Sequence, residues 1–380
     1  MIYFFTVILI IYLLTISLLI YGFDKIEITT IKDLQPKTNF SIIVPFRNEK
    51  NDFLNLLNSI SNLNYPKYLF EIVVINDDSD DNSVAIFNKW QSENLEISSR
   101  LLQNIRKSNS PKKDAIQTAI SQTENNWIIT TDADCVVNKN WLLAYDSEIQ
   151  SRNIEMIVGS VSISNTKGFL NYFQFVDLLS LQGTTIGSFG IKKPFMCNGA
   201  NFAYTKKLFL ELNGFDGNEK IASGDDVFLL QKAIKLFPEK VGYLKNQDAI
   251  VHTKPEKNWS KLFQQRVRWA SKTSSYNGFF GKFLALMVLL MNLSLVLSFG
   301  LWILNICTST ALSGTNSIGF IFFFKFSIDL ILLNKTNQFT GNQKFIFPLI
   351  SSLFYPFFCV LVAFYSFFGD FKWKKRSFKK

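Results

Sequence analysis

FEIVVINDDSDDNSVAIFNKWQSEN, residues 70–94, decides the fold. Its first seven residues are an apolar, β-branched run. That length suits a strand covered on both faces better than a helix. The run stops at an acidic cluster, NDDSDD, residues 76–81. Apolar residues then return at helical spacing, and Asn82 or Ser83 stands where a helix cap belongs. Strand, acidic loop and helix make one building unit of an α/β layer.

The same alternation extends in both directions. Upstream, NFSIIVPF (39–46) is a short strand reaching Pro45, and NDFLNLLNSISNL (51–63) is an amphipathic helix. Downstream, PKKDAIQTAISQT (111–123) reads as helix, NWIITTDADC (126–135) as strand into turn, and EMIVGSVSIS (155–164) as another strand. The pattern predicts an α/β fold with a doubly wound, mostly parallel sheet. Its ligand site is expected outside the carboxyl ends of the strands.

The flanks are of another kind. The chain has 380 residues, about twice what one typical domain needs. Apolar residues crowd its first twenty or so positions and its last hundred. Residues 1–22 are uncharged and apolar, long enough for a transmembrane helix of about 20 residues. They lack a basic start and a small-residue cleavage site, so a retained anchor is expected. Lys25 and Lys32 follow it, which places the next domain, 39–280, on the cytoplasmic side.

Residues 283–368 hold two or three further spans. The middle segment carries Lys325 and Asp329, and charges at mid-span are costly. The last is interrupted by Pro348 and Pro356. Three full spans would put the basic tail, 369–380, outside, against the positive-inside rule, so two full spans and a cytoplasmic tail are expected. The net charge of +10, gathered partly in KWKKRSFKK at the end, points to anionic membrane lipids and not to nucleic acid. Four cysteines without a CxxC pair argue against a zinc site or a disulfide framework.

Three acidic clusters fall at or near strand ends. NDDSDD is either an Asx-rich turn or an acceptor of hydrogen bonds from a nucleoside. Asp132 and Asp134, at i and i+2 of an extended chain, point to one side and together suit a hard divalent cation. Asp225 and Asp226 precede an apolar run, where an acid caps a helix or serves as a general base.

SIIVPFRNE, VVINDDSDDNS, KKDAIQTAI, TTDADC, CNGANFAY with LNGFD, GDDVFLL and QRVRW occur in this order across residues 41–269. Together they resemble the membrane-bound family-2 glycosyltransferases of GT-A fold. The synthase members of that family, which make cellulose, hyaluronan or poly-N-acetylglucosamine, carry D, DxD, ED or TED, and Q(Q/R)xRW motifs. The resemblance implies a role for each matching position. Pro45, Glu49 and Asp77 would form the donor nucleotide pocket with Lys112, although Pro111 replaces the glycine of GKxxAL. Asp132 and Asp134 would hold Mg²⁺ or Mn²⁺ on the diphosphate of a nucleotide-sugar donor. Asp226 matches the catalytic acid of ED, with Asp225 in the place of Glu. Gln265, Arg266, Arg268 and Trp269 match Q(Q/R)xRW without a mismatch and would serve the diphosphate and the acceptor.

The implied reaction is an inverting displacement at the anomeric carbon, with UDP the family's usual carrier. His252, the single histidine, reads as a loop residue more readily than as a third metal ligand. WSKLFQQRVRW reads as an amphipathic helix at the membrane surface, which suits a lipid-linked acceptor. The alternatives are a processive polysaccharide synthase and an inactive scaffold or sugar-nucleotide binder. QRVRW favours the synthase. The few later spans argue against a polymer channel unless subunits assemble. The resemblance implies an integral protein of a bacterial plasma membrane.

Overall fold

The computed structural model describes residues 2–164, 166–218, 224–272, 278–308, 317–341, 343–368, 371–373 and 376–378. In chain order the elements begin with α1 (Ile2–Lys25), β1 (Phe40–Phe46), α2 (Phe53–Ser61), β2 (Phe70–Asn76), α3 (Ser83–Glu93) and β3 (Ser98–Gln103). There follow α4 (Pro111–Gln122), β4 (Trp127–Thr130), α5 (Trp141–Ser151), β5 (Met156–Gly159), β6 (Val161–Ile163) and α6 (Phe169–Gly190). Next are β7 (Phe202–Thr205), α7 (Lys206–Glu211), α8 (Asp225–Leu236), β8 (Val241–Leu244), β9 (Val251–Thr253) and α9 (Trp259–Ala270). The last are α10 (Phe279–Thr308), α11 (Ser317–Thr340), α12 (Pro348–Phe368) and an antiparallel pair, β10 (Phe371–Trp373) with β11 (Arg376–Phe378). Of the expected basic tail, 369–380, only the backbone of 371–373 and 376–378 is among the described residues.

The chain forms two compact units, each discontinuous in sequence. One comprises Ile26–Ser164 with Phe195–Lys254, and the other Met1–Lys25, Asn165–Pro194 and Pro255–Lys380. Thus α6 and α9, which the sequence pattern groups with the catalytic stretch, pack among the helices.

The first unit is α/β, as expected. Its seven-stranded sheet has the order β3-β2-β1-β4-β7-β5-β8. Only β7 runs antiparallel to its neighbours β4 and β5. β2 is buried along its whole length, which explains its largely apolar sequence; its one charge, Glu71, is met by Arg100 and the Ser41 hydroxyl. Pro45 is tolerated in β1 because β4 pairs only as far as Ile43, so no ladder bond is lost on that side. EMIVGSVSIS forms two strands in different sheets, not one. At the break, Ser160 offers its carbonyl to Val251 N–H (3.1 Å) and Asn201 Nδ2 (2.7 Å), which turns the chain from β5 towards β9.

The second unit is helical. α1 and α6 approach backbone to backbone through Gly22, Gly187 and Gly190. A Cβ on Gly187 would lie 2.3 Å from Leu19 O, closer than any side chain tolerates. Leu262 and Val267 of α9 pack with Phe173 of α6 and with Phe358 and Val362 of α12.

Among the described residues three helices are long and apolar enough to cross a membrane: Tyr3–Lys25, Phe279–Leu304 and Pro348–Phe367. α11 is not among them, yet its Lys325 is buried and bonds Asp329 at 2.6 Å, and Tyr12 donates to the same carboxylate at 2.7 Å. Neither proline ends α12, because Pro348 sits at its first position, where no N–H is missed, and the helix continues through Pro356.

Candidate active site

The loops that leave β1 and β2 are stitched together. Asn48 and Asp78 both adopt positive φ, 56° and 55°, a conformation that Asn and Asp tolerate better than most residues. The Ser79 hydroxyl accepts from Asn48 N–H (3.1 Å), and Asn48 Oδ1 accepts from Asp80 N–H (2.9 Å). Glu49 N–H donates to the Ser83 hydroxyl at 2.8 Å, which ties the start of α3 to the same corner.

Asp77 is buried here. Its Oδ1 accepts from Asn104 Nδ2 at 2.8 Å and faces Arg106 Nη1 at 3.3 Å. Asn104 Nδ2 also donates to the carbonyl of Pro111 (3.0 Å), the first residue of α4. Pro111 suits that first helical position, so its replacement of a motif glycine leaves the helix start intact.

One residue further, Lys112 collects the other acids. Its ammonium lies 2.6 Å from Asp132 and 3.6 Å from Asp225. Burial alone would push the lysine pKa down. The carboxylates of Asp132, Asp225 and Asp226 outweigh it and hold the pKa above the ordinary value. Asp225 and Asp226 open α8, where the positive helix end favours them. Asp226 accepts from Gly199 N–H and Val227 N–H, both at 2.8 Å. Gly199 lies close against the cluster: a Cβ there would stand 3.1 Å from Asp225 Oδ2 and 3.3 Å from Lys112 Nζ, a tight fit that those side-chain ends would have to yield to.

Asp132 and Asp134 are half-exposed while Ala133 and Cys135 are buried, and the segment is a turn closed by Cys135 N–H on the Asp132 carbonyl (3.0 Å), not the extended chain expected. Among the described residues no three His, Cys, Asp or Glu side chains stand ready to cage a metal. The donor set nevertheless fits Mg²⁺ or Mn²⁺: hard carboxylate oxygens in too small a number alone, to be completed by phosphate oxygens and water. His252 stands next to this loop through its backbone. Its backbone exchanges hydrogen bonds with Val136 (2.8 and 2.9 Å), two residues after Asp134, and its Nδ1 is buried with no hydrogen-bond partner. Burial lowers its pKa and favours the neutral imidazole that binds metals.

QRVRW belongs to the helical unit. Arg266 is buried against Asp177 of α6, and its guanidinium lies 4.2 Å from the Trp269 ring centre. Gln265 donates to Glu256 at 3.0 Å. The structure therefore gathers Asp132, Asp225 and Asp226 around Lys112, ties Asp77 to them through Asn104, and carries Gln265 to Trp269 in a separate unit. Asn104, Arg106, Gly199, Asp177 and Glu256 were not singled out from sequence as site residues. CNGANFAY, which contains Gly199, was the one available signal.

A match to glycosyl transferase family 2 spans residues 41–212, and a match to glycosyl transferase family group 2 spans residues 127–367, more than half of the chain. YdaM, a probable glycosyltransferase of Bacillus subtilis, is 26% identical over 241 residues, 60% of this chain and 54% of its own length. Poly-beta-1,6-N-acetyl-D-glucosamine synthase of Staphylococcus epidermidis is 24% identical over 244 residues, 62% of this chain and 55% of its own. The chain thus spans about half the length of these relatives. Among solved structures, a mannosyltransferase from Pyrobaculum calidifontis in complex with GDP-mannose and Mn²⁺ superposes with a TM-score of 0.54 at 12% identity, over 96% of each chain. That likeness is one of fold.

Proposed function

The chain belongs to glycosyl transferase family group 2 and is a glycosyltransferase, and from that premise we propose that it moves a sugar from a nucleotide diphosphate, with inversion, onto a membrane-associated, lipid-linked acceptor. The observation that carries this reading is the gathering of Asp132, Asp225 and Asp226 around Lys112 at the carboxyl ends of a parallel sheet.

In the proposed reaction the acceptor hydroxyl attacks the anomeric carbon as the bond to the diphosphate oxygen breaks. Asp226 takes the hydroxyl proton, held in place by the Gly199 and Val227 amides. Asp77, with Pro45 and Glu49, cradles the nucleoside, and Asn104 keeps the Asp77 carboxylate oriented. Asp132 and Asp134 would hold the divalent ion, with phosphate oxygens and water completing its shell. Once bound, that ion neutralises charge on the departing diphosphate. Lys112 offsets the mutual repulsion of the crowded acids and so holds them together. The roles of Gln265, Arg266, Arg268 and Trp269 towards diphosphate and acceptor rest on the family pattern.

The three apolar helices support a membrane location, and Lys25 and Lys32 after the first support a cytoplasmic catalytic unit in a bacterial plasma membrane. A processive polysaccharide synthase is the second reading, favoured by the similarity to the poly-N-acetylglucosamine synthase. The test is a panel of UDP- and GDP-sugars incubated with the purified chain and bacterial membrane lipids, with nucleotide diphosphate release and product length measured. One donor is expected to release its nucleotide only with lipid present. Long polymer would favour the synthase, and no release from any donor would overturn both readings.

A further inference from the structure

Around QRVRW the helical unit holds a connected polar network that no motif contains. Arg266 Nε donates to Asp177 Oδ2 of α6 at 2.5 Å, and Arg266 Nη1 donates to Gln265 Oε1. Gln265 Nε2 donates to Glu256 Oε1 at 3.0 Å. Glu256 N–H in turn donates to Gln174 Oε1 at 2.7 Å, and Gln174 Nε2 returns a bond to the Glu256 carbonyl at 3.1 Å. Arg266 and Asp177 are each 7% exposed, whereas Trp269, one turn along α9, is half-buried with its ring against the guanidinium.

Fastening does not require this pair. α9 is already held to α6 and α12 by Phe173, Leu262, Val267, Phe358 and Val362. A buried ion pair is a poor fastener, since apolar residues of equal volume often serve as well or better. What an ion pair supplies, and apolar packing does not, is direction. A guanidinium is a rigid plane whose orientation is set by the carboxylate it bonds, and a ring stacked on that plane inherits the orientation.

We propose that Asp177 is a positioning residue of the transfer reaction: it fixes the Arg266 plane, and that plane sets the angle of the Trp269 ring towards the acceptor sugar. The inference rests on the reading of Trp269 as the acceptor platform. It also divides the two arginines. Arg266 works within the helical unit, and the diphosphate contact implied for QRVRW falls to Arg268.

The test is steady-state kinetics of the full chain, with the nucleotide sugar selected by the donor panel and vesicles of bacterial membrane lipid extract as the acceptor. Asp177→Leu combined with Arg266→Met removes the pair and keeps its volume. The expected result is a melting temperature near that of the wild type, a donor KM within about twofold, and acceptor-side efficiency down about tenfold or more. Wild-type transfer by this double variant would overturn the proposal, because the pair would then be a fastener only. A raised donor KM with unchanged acceptor kinetics would overturn it too, because Arg266 would then touch the diphosphate.

If the double variant fails to fold, Arg266→Lys decides by the same readout. It keeps a charge for Asp177 and removes the plane, so acceptor-side loss supports the proposal and wild-type kinetics sink it. Trp269→Ala separates the two levels. Normal transfer by that variant removes the acceptor reading itself. Lost transfer there, beside a fully active double variant, removes the Asp177 inference alone.

Discussion

Lys112–Asp132 in the α/β unit and Arg266–Asp177 in the helical unit are both short pairs of a cation with an aspartate, and their settings are opposite. The side chains of Lys112 and Asp132 are 20% and 40% exposed, those of Arg266 and Asp177 8% and 7%. The sealed pair is balanced, one charge for one. Around the open one, Lys112 is met by three carboxylates among the described residues, Asp132, Asp225 and Asp226. Acids gathered on one cation in reach of solvent mark a site suited to a cation and its ligand. Balance away from solvent marks a device that holds geometry.

The largest expected effect tests the open cluster. Asp226→Asn should lower transfer by about 10²–10⁴-fold, the usual contribution of a general base, while nucleotide-sugar binding by calorimetry persists. A variant that keeps full transfer would shift the base to Asp225 or out of the cluster. Next comes the sealed pair. Asp177→Asn leaves a buried guanidinium without its carboxylate and should cost about 3–5 kcal/mol of stability, read as a fall in thermal midpoint. A midpoint unchanged from wild type would mean that water reaches Arg266 and that the pair is not sealed.

A smaller effect concerns the divalent ion. Treatment with a chelator should cut nucleotide diphosphate release by about tenfold or more, with recovery on adding Mn²⁺ or Mg²⁺. Full activity in chelator would show that basic side chains balance the departing diphosphate without a metal.

Much of this was legible in the sequence where burial is two-sided. β1, β2 and β4 are largely apolar runs with acids close behind them, so strand, loop and site could be read together. β3 escaped notice because it is an edge strand, exposed or half-exposed at every residue, and SSRLLQ has little pattern to show. α6 was hidden by its own buried polar residues: Gln174, Asp177, Gln182 and Thr185 break the apolar stripe that marks a helix.

Those polar groups have meaning only through partners far along the chain. Asp177 meets Arg266 89 residues later, and Asp329 meets Tyr12 317 residues away, which is why Lys325 and Asp329 read as a defect in a span. The backbone pairing of His252 with Val136 is long-range in the same way, since nothing near it in sequence points to Val136.

The smallest expected effect is the most discriminating. If the open cluster is crowded by like charge, Asp132→Asn should remove a repelling carboxylate and leave stability within about 0.5 kcal/mol of wild type or above it, as substitutions that relax a functional site often do. The same chemical change, Asp to Asn opposite a cation, should thus be costly at 177 and free at 132. The comparison is made by thermal melting of both variants without donor or metal. Equal losses at the two positions would mean that Lys112–Asp132 is a structural pair like the other. The gathering of acids around it would then need an explanation other than a ligand. A loss confined to Asp177, together with lost donor affinity confined to Asp132, would give each unit its own part in transfer. The α/β unit would store charge for the donor, and the helical unit orientation for the acceptor.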